Sequence, residues 1–250
     1  VSGSGKWICG PAPDPNATAR VFCFPYAGGG AAAFLPWRPL FTPHGIDFCC
    51  VQLPGRETRF GEALVSSMPE LVRAICSGLE AHLARPFSLF GHSMGAIVAY
   101  EVACELRRRG GPMPEWLFVS GSLAPHRRDA ESLHTLPTAQ FIDTLVRRYN
   151  GIPPEILANQ ELLDLTVPIL RADFALLELH RRDTATALPV KFAVFGGDAD
   201  PSVRPDALDL WREATNDQQA FRTRLFPGDH FFIHELRAAL AEEIVGCHRS

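Results

Sequence analysis

Ser93 lies in Gly91-His92-Ser93-Met94-Gly95, between an apolar strand-like run, Phe87 to Phe90, and a helical run that begins at Ala96. A G-x-S-x-G spacing at a strand-to-helix junction sets a serine hydroxyl on a sharp turn. Glycines two residues to either side leave room for that turn and for the helix packed against it. The five-residue pattern alone recurs by chance in loops. Here Ile97, Val98 and the segment Tyr100 to Val102 continue the helix without a proline, so Ser93 reads as a nucleophile.

A serine hydroxyl attacks only when a base takes its proton and an acid holds that base. Around such an elbow the chain order is Ser, then Asp or Glu, then His, each on the loop after a later strand. Of nine histidines, His230 directly follows the last strand-like run, in Phe226-Pro227-Gly228-Asp229-His230. The acid belongs after Val190 to Phe195, where the loop offers Asp198 and Asp200. Asp200 is favoured because Pro201 biases it to an extended backbone, whereas Asp198 suits a turn-forming role. Asp229 is a third candidate.

Acyl transfer also needs N–H donors for the negative charge that develops on the carbonyl oxygen. Met94, just after the nucleophile, supplies one, and Ala27 in Tyr26-Ala27-Gly28-Gly29-Gly30 the other. Those glycines lack a following Lys-Ser/Thr and the G-x-G-x-x-G spacing, which argues against a nucleotide cradle. His234, a helical turn beyond His230, raises a zinc reading, but neither an H-E-x-x-H pattern nor a third ligand accompanies it. No metal and no cofactor is expected.

These residues require a sheet whose strands all end at one edge. Strand-like runs at Arg20 to Pro25, Phe48 to Leu53, Phe87 to Phe90, Glu115 to Ser120, Val190 to Phe195 and Phe221 to Phe226 alternate with helical ones at Pro69 to Leu83 and Ala96 to Arg109. Runs apolar on both faces predict a mostly parallel sheet with helices on each side, an α/β fold in one domain over 1–250. The alternation breaks over 122–188. There Thr138 to Tyr149, with Thr138 as its cap, and Asn159 to Leu179, interrupted by Pro168, predict helices in a lid insertion.

Composition narrows the classes of function. The chain has 250 residues, 46% hydrophobic, and a formal net charge of −4, so nothing points to nucleic acid or a membrane surface. Its seven cysteines are odd in number and form no C-x-x-C pair; they read as small buried hydrophobes in a reducing compartment. Val1 to Pro15 lacks the apolar core of a signal peptide, and no stretch approaches membrane-spanning length. A cytoplasmic monomer is expected.

Seven motifs occur in order: Phe24-Pro25-Tyr26-Ala27-Gly28-Gly29, Leu53-Pro54-Gly55-Arg56-Glu57-Thr58-Arg59, Gly91-His92-Ser93-Met94-Gly95-Ala96, Gly151-Ile152-Pro153-Pro154-Glu155, Leu170-Arg171-Ala172-Asp173-Phe174, the Asp200-Pro201 loop and Gly228-Asp229-His230-Phe231-Phe232. Each is weak alone, but their joint order is specific. Over nearly the whole chain the set resembles the stand-alone type II thioesterases of polyketide and nonribosomal peptide synthesis. The resemblance implies an α/β-hydrolase fold with a helical lid. It also implies hydrolysis of acyl groups held as thioesters on the phosphopantetheine arm of acyl or peptidyl carrier proteins, as an editing activity on stalled or misprimed synthases. By position it places the triad at Ser93, Asp200 and His230, with Ala27 and Met94 as oxyanion donors.

Two positions depart from the family pattern. Tyr26 stands where many members have His, and His180 where an aromatic tends to follow the Arg-Ala-Asp-Phe segment; both are candidate substrate-binding residues. The Arg56-Glu57 loop suggests a structural ion pair near the site mouth. Arg127, Arg128, Arg147 and Arg148 are candidates to meet an acidic carrier. Rival readings are an acyltransferase or cyclising release enzyme with the same triad, a generic carboxylesterase, and an inactive carrier-binding module.

Overall fold

The computed structural model describes residues 6–127 and 132–249. Seven strands form one sheet: β1 (Ile8–Cys9), β2 (Ala19–Phe24), β3 (Ile46–Val51), β4 (Phe87–His92), β5 (Trp116–Ser120), β6 (Lys191–Gly197) and β7 (Arg222–Phe226), in the spatial order β1-β3-β2-β4-β5-β6-β7. The β1 pairing with β3 is antiparallel, and every other pairing is parallel. The sequence pattern missed β1, since two residues are too few to show a period.

Every residue of β2 to β5 is buried, as the doubly apolar runs required. Alternate side chains feed two cores. Phe22, Phe24, Leu89, Leu117 and Val119 pack under α2 (Met68–Leu79) and α3 (Met94–Arg108). On the other face Val21, Cys23, Phe90, Phe118 and Phe195 meet Phe34, Trp37 and the C-terminal helix. β7 departs from the doubly buried pattern. Arg222 to Leu225 are exposed because it is the sheet's edge, where charged side chains discourage further strand pairing.

In chain order the remaining helices are α1 (Arg38–Phe41) before β3, then α4 (Thr138–Tyr149), α5 (Pro154–Leu157) and α6 (Gln160–Leu179) between β5 and β6, and α7 (Phe232–Glu235) and α8 (Arg237–His248) after β7. In the 122–188 insertion, Phe141 and Leu145 of α4, Val167, Leu170 and Phe174 of α6, and Ile152 from the loop between them are buried against one another. Asn159 caps α6, its side chain accepting from the N–H groups of Glu161 and Leu162. α6 runs unbroken through Pro168, which costs it one backbone bond but does not split it. Thr138 is not the cap of α4: Pro137 holds that position, and the Thr138 hydroxyl accepts instead from Arg171.

Burial also accounts for the thiols. Desolvation pushes Cys50 and Cys76 up to about 12, so both are protonated apolar packing groups at neutral pH.

Candidate active site

β4 ends at His92, and Ser93 takes φ 55°, ψ −116° before α3 begins at Met94. A non-glycine residue with positive φ is strained, and the surroundings hold it there. A Cβ on Gly91 would stand 2.0 Å from the Gly95 carbonyl oxygen, and one on Gly95 2.1 Å from that of Phe24. Both glycines of the elbow therefore answer to close backbone contact. The Ser93 N–H donates to the Ser120 carbonyl at 2.8 Å, tying the turn to β5.

The loops after β4, β6 and β7 converge on this serine. His230 Nε2 lies 3.0 Å from Ser93 Oγ, and His230 Nδ1 lies 2.7 Å from Asp200 Oδ2. Asp200 and His230 are both buried. The other Asp200 oxygen accepts from the Ser202 N–H at 2.8 Å and from its hydroxyl at 2.6 Å, and Ser202 Oγ also lies 3.1 Å from His230 Nδ1. Burial works to raise the Asp200 carboxyl. The hydrogen bond and charge of His230, with the two Ser202 donors, outweigh it and hold the group below its ordinary value.

The competing aspartates are otherwise engaged. Exposed Asp198 accepts from the Gly228 N–H at 3.0 Å, and Asp229 from the Phe231 N–H at 2.9 Å, both bracing the loops that carry the buried pair.

The Met94 N–H is the first of α3 and so has no intrahelical acceptor. The Ala27 N–H has no acceptor among the described residues. Both residues, with Ser93 and His230, line a cavity of about 380 Å³. Ile97, Leu145, Ile152, Leu170, Phe174 and Val203 make much of its wall apolar, and more than a third of the lining comes from the insertion.

Tyr26 lines the same cavity, its ring edge-on to Phe231 and its hydroxyl 3.4 Å from His234 Nε2. Burial first, and Glu57 second, raise its phenol, which stays neutral.

His180 does not reach this cavity. It follows the last turn of α6, with Nε2 3.0 Å from Glu101 Oε1, and lines a separate hollow. Glu101, buried on α3, draws it there together with Arg182, whose guanidinium makes two 2.6 Å bonds to the same carboxylate. The reading of His180 as substrate-binding is therefore corrected to a post at the base of the insertion.

Sequence reasoning missed two groups and read a third, His92, as structural from its place in the elbow. One is Ser202, two residues after Asp200, a spacing at which an Asp can accept from the backbone ahead of it. His92 is fully buried behind the site, with Nδ1 3.0 Å from Ser120 Oγ and its ring 5.1 Å from that of His230. Burial, then the neighbouring His230 and His234, hold its pKa well below the ordinary value, so it is a neutral packing group. The second missed group is Asp173, the partner of Arg56.

Of the four arginines considered for docking, Arg127 pairs with Glu213 and Arg147 with Asp143 on the surface. Arg148 lines the cavity, and Arg128 lies outside the described residues.

A parallel sheet of this order, with a strained serine elbow at the end of a central strand and a histidine on the loop after the last strand, defines an α/β-hydrolase. Residues 19–247 match the thioesterase domain family, and the chain belongs to it. It is 36% identical to the gramicidin S biosynthesis protein GrsT of Aneurinibacillus migulanus over 97% of this chain and 93% of that one. Among solved structures, RedJ, a thioesterase of the prodiginine pathway in Streptomyces coelicolor, superposes with a TM-score of 0.86 at 36% identity, covering 96% of each chain. The type II thioesterase BorB of the borrelidin cluster follows at 0.84 and 31%, covering 96% of this chain and 97% of BorB. The resemblance read from the ordered motifs thus holds: this is a thioester-cleaving hydrolase whose relatives are type II thioesterases of polyketide and nonribosomal peptide pathways.

Proposed function

We propose that the protein hydrolyses acyl thioesters borne on the phosphopantetheine arm of acyl or peptidyl carrier proteins, clearing stalled or misprimed synthases through an acyl-enzyme on Ser93. The observation that carries this reading is the bonded chain Ser93 Oγ, His230 and Asp200 at one end of an apolar cavity, with the Ala27 and Met94 N–H groups unclaimed beside it.

In this cycle His230 Nε2 takes the proton of Ser93 as Oγ attacks the thioester carbonyl. Asp200 accepts from Nδ1–H and stabilises the imidazolium. The oxyanion draws on the Ala27 and Met94 N–H groups, each donor of this kind contributing about 10²–10³ in turnover. Collapse breaks the C–S bond, and the sulfur leaves with the proton from Nε2. Water then gives a proton to the same nitrogen and attacks the acyl-serine; the acid departs and Ser93 recovers its proton. The protein supplies no cofactor to this scheme, since the pantetheine arm arrives with the substrate. Tyr26 lines the pocket beside Phe231 and contributes to substrate binding. Among the described residues no helix is long and apolar enough to cross a membrane. A monomer acting in the cytoplasm completes the proposal.

The test is labelling of Ser93 by a fluorophosphonate, followed by a panel of acyl-carrier, acyl-coenzyme A and oxygen-ester substrates. Free acid as product and a higher kcat/KM on carrier thioesters are expected. Unlabelled Ser93, or full turnover by Ser93→Ala, would overturn the mechanism. Ester or cyclic products would replace hydrolysis by acyl transfer, and a preference for oxygen esters would make the protein a carboxylesterase.

A further inference from the structure

Arg56 and Asp173 stand apart from the site chemistry, yet both are buried, at 4% and 0% exposure. Their contact is bidentate, Nη1 to Oδ2 at 2.6 Å and Nη2 to Oδ1 at 2.7 Å. A buried ion pair is a poor source of stability, because desolvation offsets the attraction. What the pair touches next points elsewhere. Asp173 Oδ2 accepts the Gly28 N–H at 2.8 Å, and Arg56 Nη1 donates to the Gly29 carbonyl at 3.2 Å. The residue between these contacts and Tyr26 is Ala27.

We propose that Asp173 and Arg56 are positioning residues for the oxyanion-binding loop, so that α6 of the insertion sets the aim of the Ala27 N–H as well as walling the cavity. This rests on the reading of Ala27 as an oxyanion donor.

Four features support it. The loop is a tight turn, closed by Gly29 N–H to the Tyr26 carbonyl at 2.9 Å, with Gly28 at φ +76°. The Asp173 carboxylate claims the Gly28 N–H, next to the Ala27 N–H that has no acceptor among the described residues. α6 also rests directly on the turn, since a Cβ on Gly28 would come within 2.6 Å of Leu170 Cδ2. Finally, a lone carboxylate behind a site that must stabilise negative charge would oppose it, and the Arg56 fork neutralises that charge while the oxygen still accepts. Leu170 and Phe174, on the same helix, line the cavity, so an acyl chain seated there presses on the element that holds the loop.

The experiment compares wild type with Asp173→Asn and with the double variant Arg56→Met/Asp173→Leu, which removes both charges and so strands neither. Each is assayed for acyl-thioester turnover, for affinity toward an alkyl boronic acid that forms an anionic tetrahedral adduct with serine, and for affinity toward a thioether analogue lacking the carbonyl. Displacing a donor by about 1 Å is enough for a loss near 10²-fold. Expected in either folded variant is a kcat loss of that order with KM within threefold, boronate affinity falling in parallel and thioether affinity unchanged. A folded variant with kcat within threefold of wild type overturns the proposal. So does a kcat loss with boronate affinity intact, which would mark the pair as a structural strut. Should the single variant fail to fold, the double variant decides. Fluorophosphonate labelling of wild-type Ser93 separates the two levels: without it the underlying reading fails, and with it only the positioning role is at stake.

Discussion

Replacing Asp200 by Asn should act through the direction of one proton. The Asp200 Oδ1 position receives the Ser202 N–H at 2.8 Å, and a backbone N–H can only donate. An asparagine side chain must therefore put its carbonyl oxygen there, turning its NH2 toward His230 Nδ1, 2.7 Å from the other position. Facing a donor, Nδ1 has to accept, so the ring proton moves to Nε2 and points at Ser93 Oγ across 3.0 Å. A nitrogen that already carries a proton cannot take one from the serine.

The same substitution in a serine triad lowers turnover by about 10⁴, or about 5.4 kcal/mol at 1.36 kcal/mol per decade. Ser202 Oγ, 3.1 Å from Nδ1, can rotate to accept in part of the population and restore the productive tautomer. A loss of about 10³–10⁴ in kcat is expected, with KM within about threefold. Thiol release from a short acyl thioester, followed with a chromogenic disulfide, measures it, and fluorophosphonate labelling should slow in step. A folded Asp200→Asn protein retaining more than a tenth of wild-type kcat would refute the tautomer argument.

Stability should fall with acid in a way that His92 explains in part. Its folded pKa lies well below the unfolded value near 6.5, so below that pH the unfolded chain takes up a proton that the folded one refuses. Stability is therefore lost as pH falls below that value, and in urea melts at a series of pH values His92→Gln should lose less stability on acidification than wild type; equal losses would count against it. Gly95→Ala forces a methyl against the Phe24 carbonyl at 2.1 Å and should cost about 3 kcal/mol in denaturant melts while lowering kcat, because α3 must retreat from β2. Leu145→Ala removes a buried wall of the cavity. It should cost about 2–5 kcal/mol and shift kcat/KM toward bulkier acyl groups, and an unchanged chain-length profile would place the acyl chain elsewhere.

What was legible in the sequence was what leaves a local mark. The elbow shows because two glycines must flank Ser93, and the strands that bring His230 and Asp200 to it show as short apolar runs closed by turn residues. Asp200 was separable from Asp198 through Pro201, and the structure buries the first and exposes the second. Contacts made by the insertion left no such mark. Arg56 and Asp173 are 117 positions apart, and a pair of opposite charges at that separation has no period or spacing to betray it. His180 was misread because its place after the Arg-Ala-Asp-Phe segment says that it ends a helix, not which face the next turn presents. Its direction is set by Glu101, on an element far away in the chain. Pro168 misled in the opposite sense: a missing N–H weakens one bond, and packing of α6 on both sides of it keeps the helix whole.

The division of that ion pair between the sheet-borne Arg56 loop and the insertion bears on how such proteins can be recombined. Replacing residues 122–188 of this protein by the matching segment of a relative would exchange one wall of the cavity and one half of the pair together. A donor segment with a neutral residue at position 173 would leave the guanidinium sealed from water without a counter-charge, a penalty of about 3–5 kcal/mol. Chimeras that respect the match at 56 and 173 should express as stable folded protein, whereas mismatched ones should melt earlier and turn over more slowly. Segment exchange therefore favours donors of like charge at one buried position.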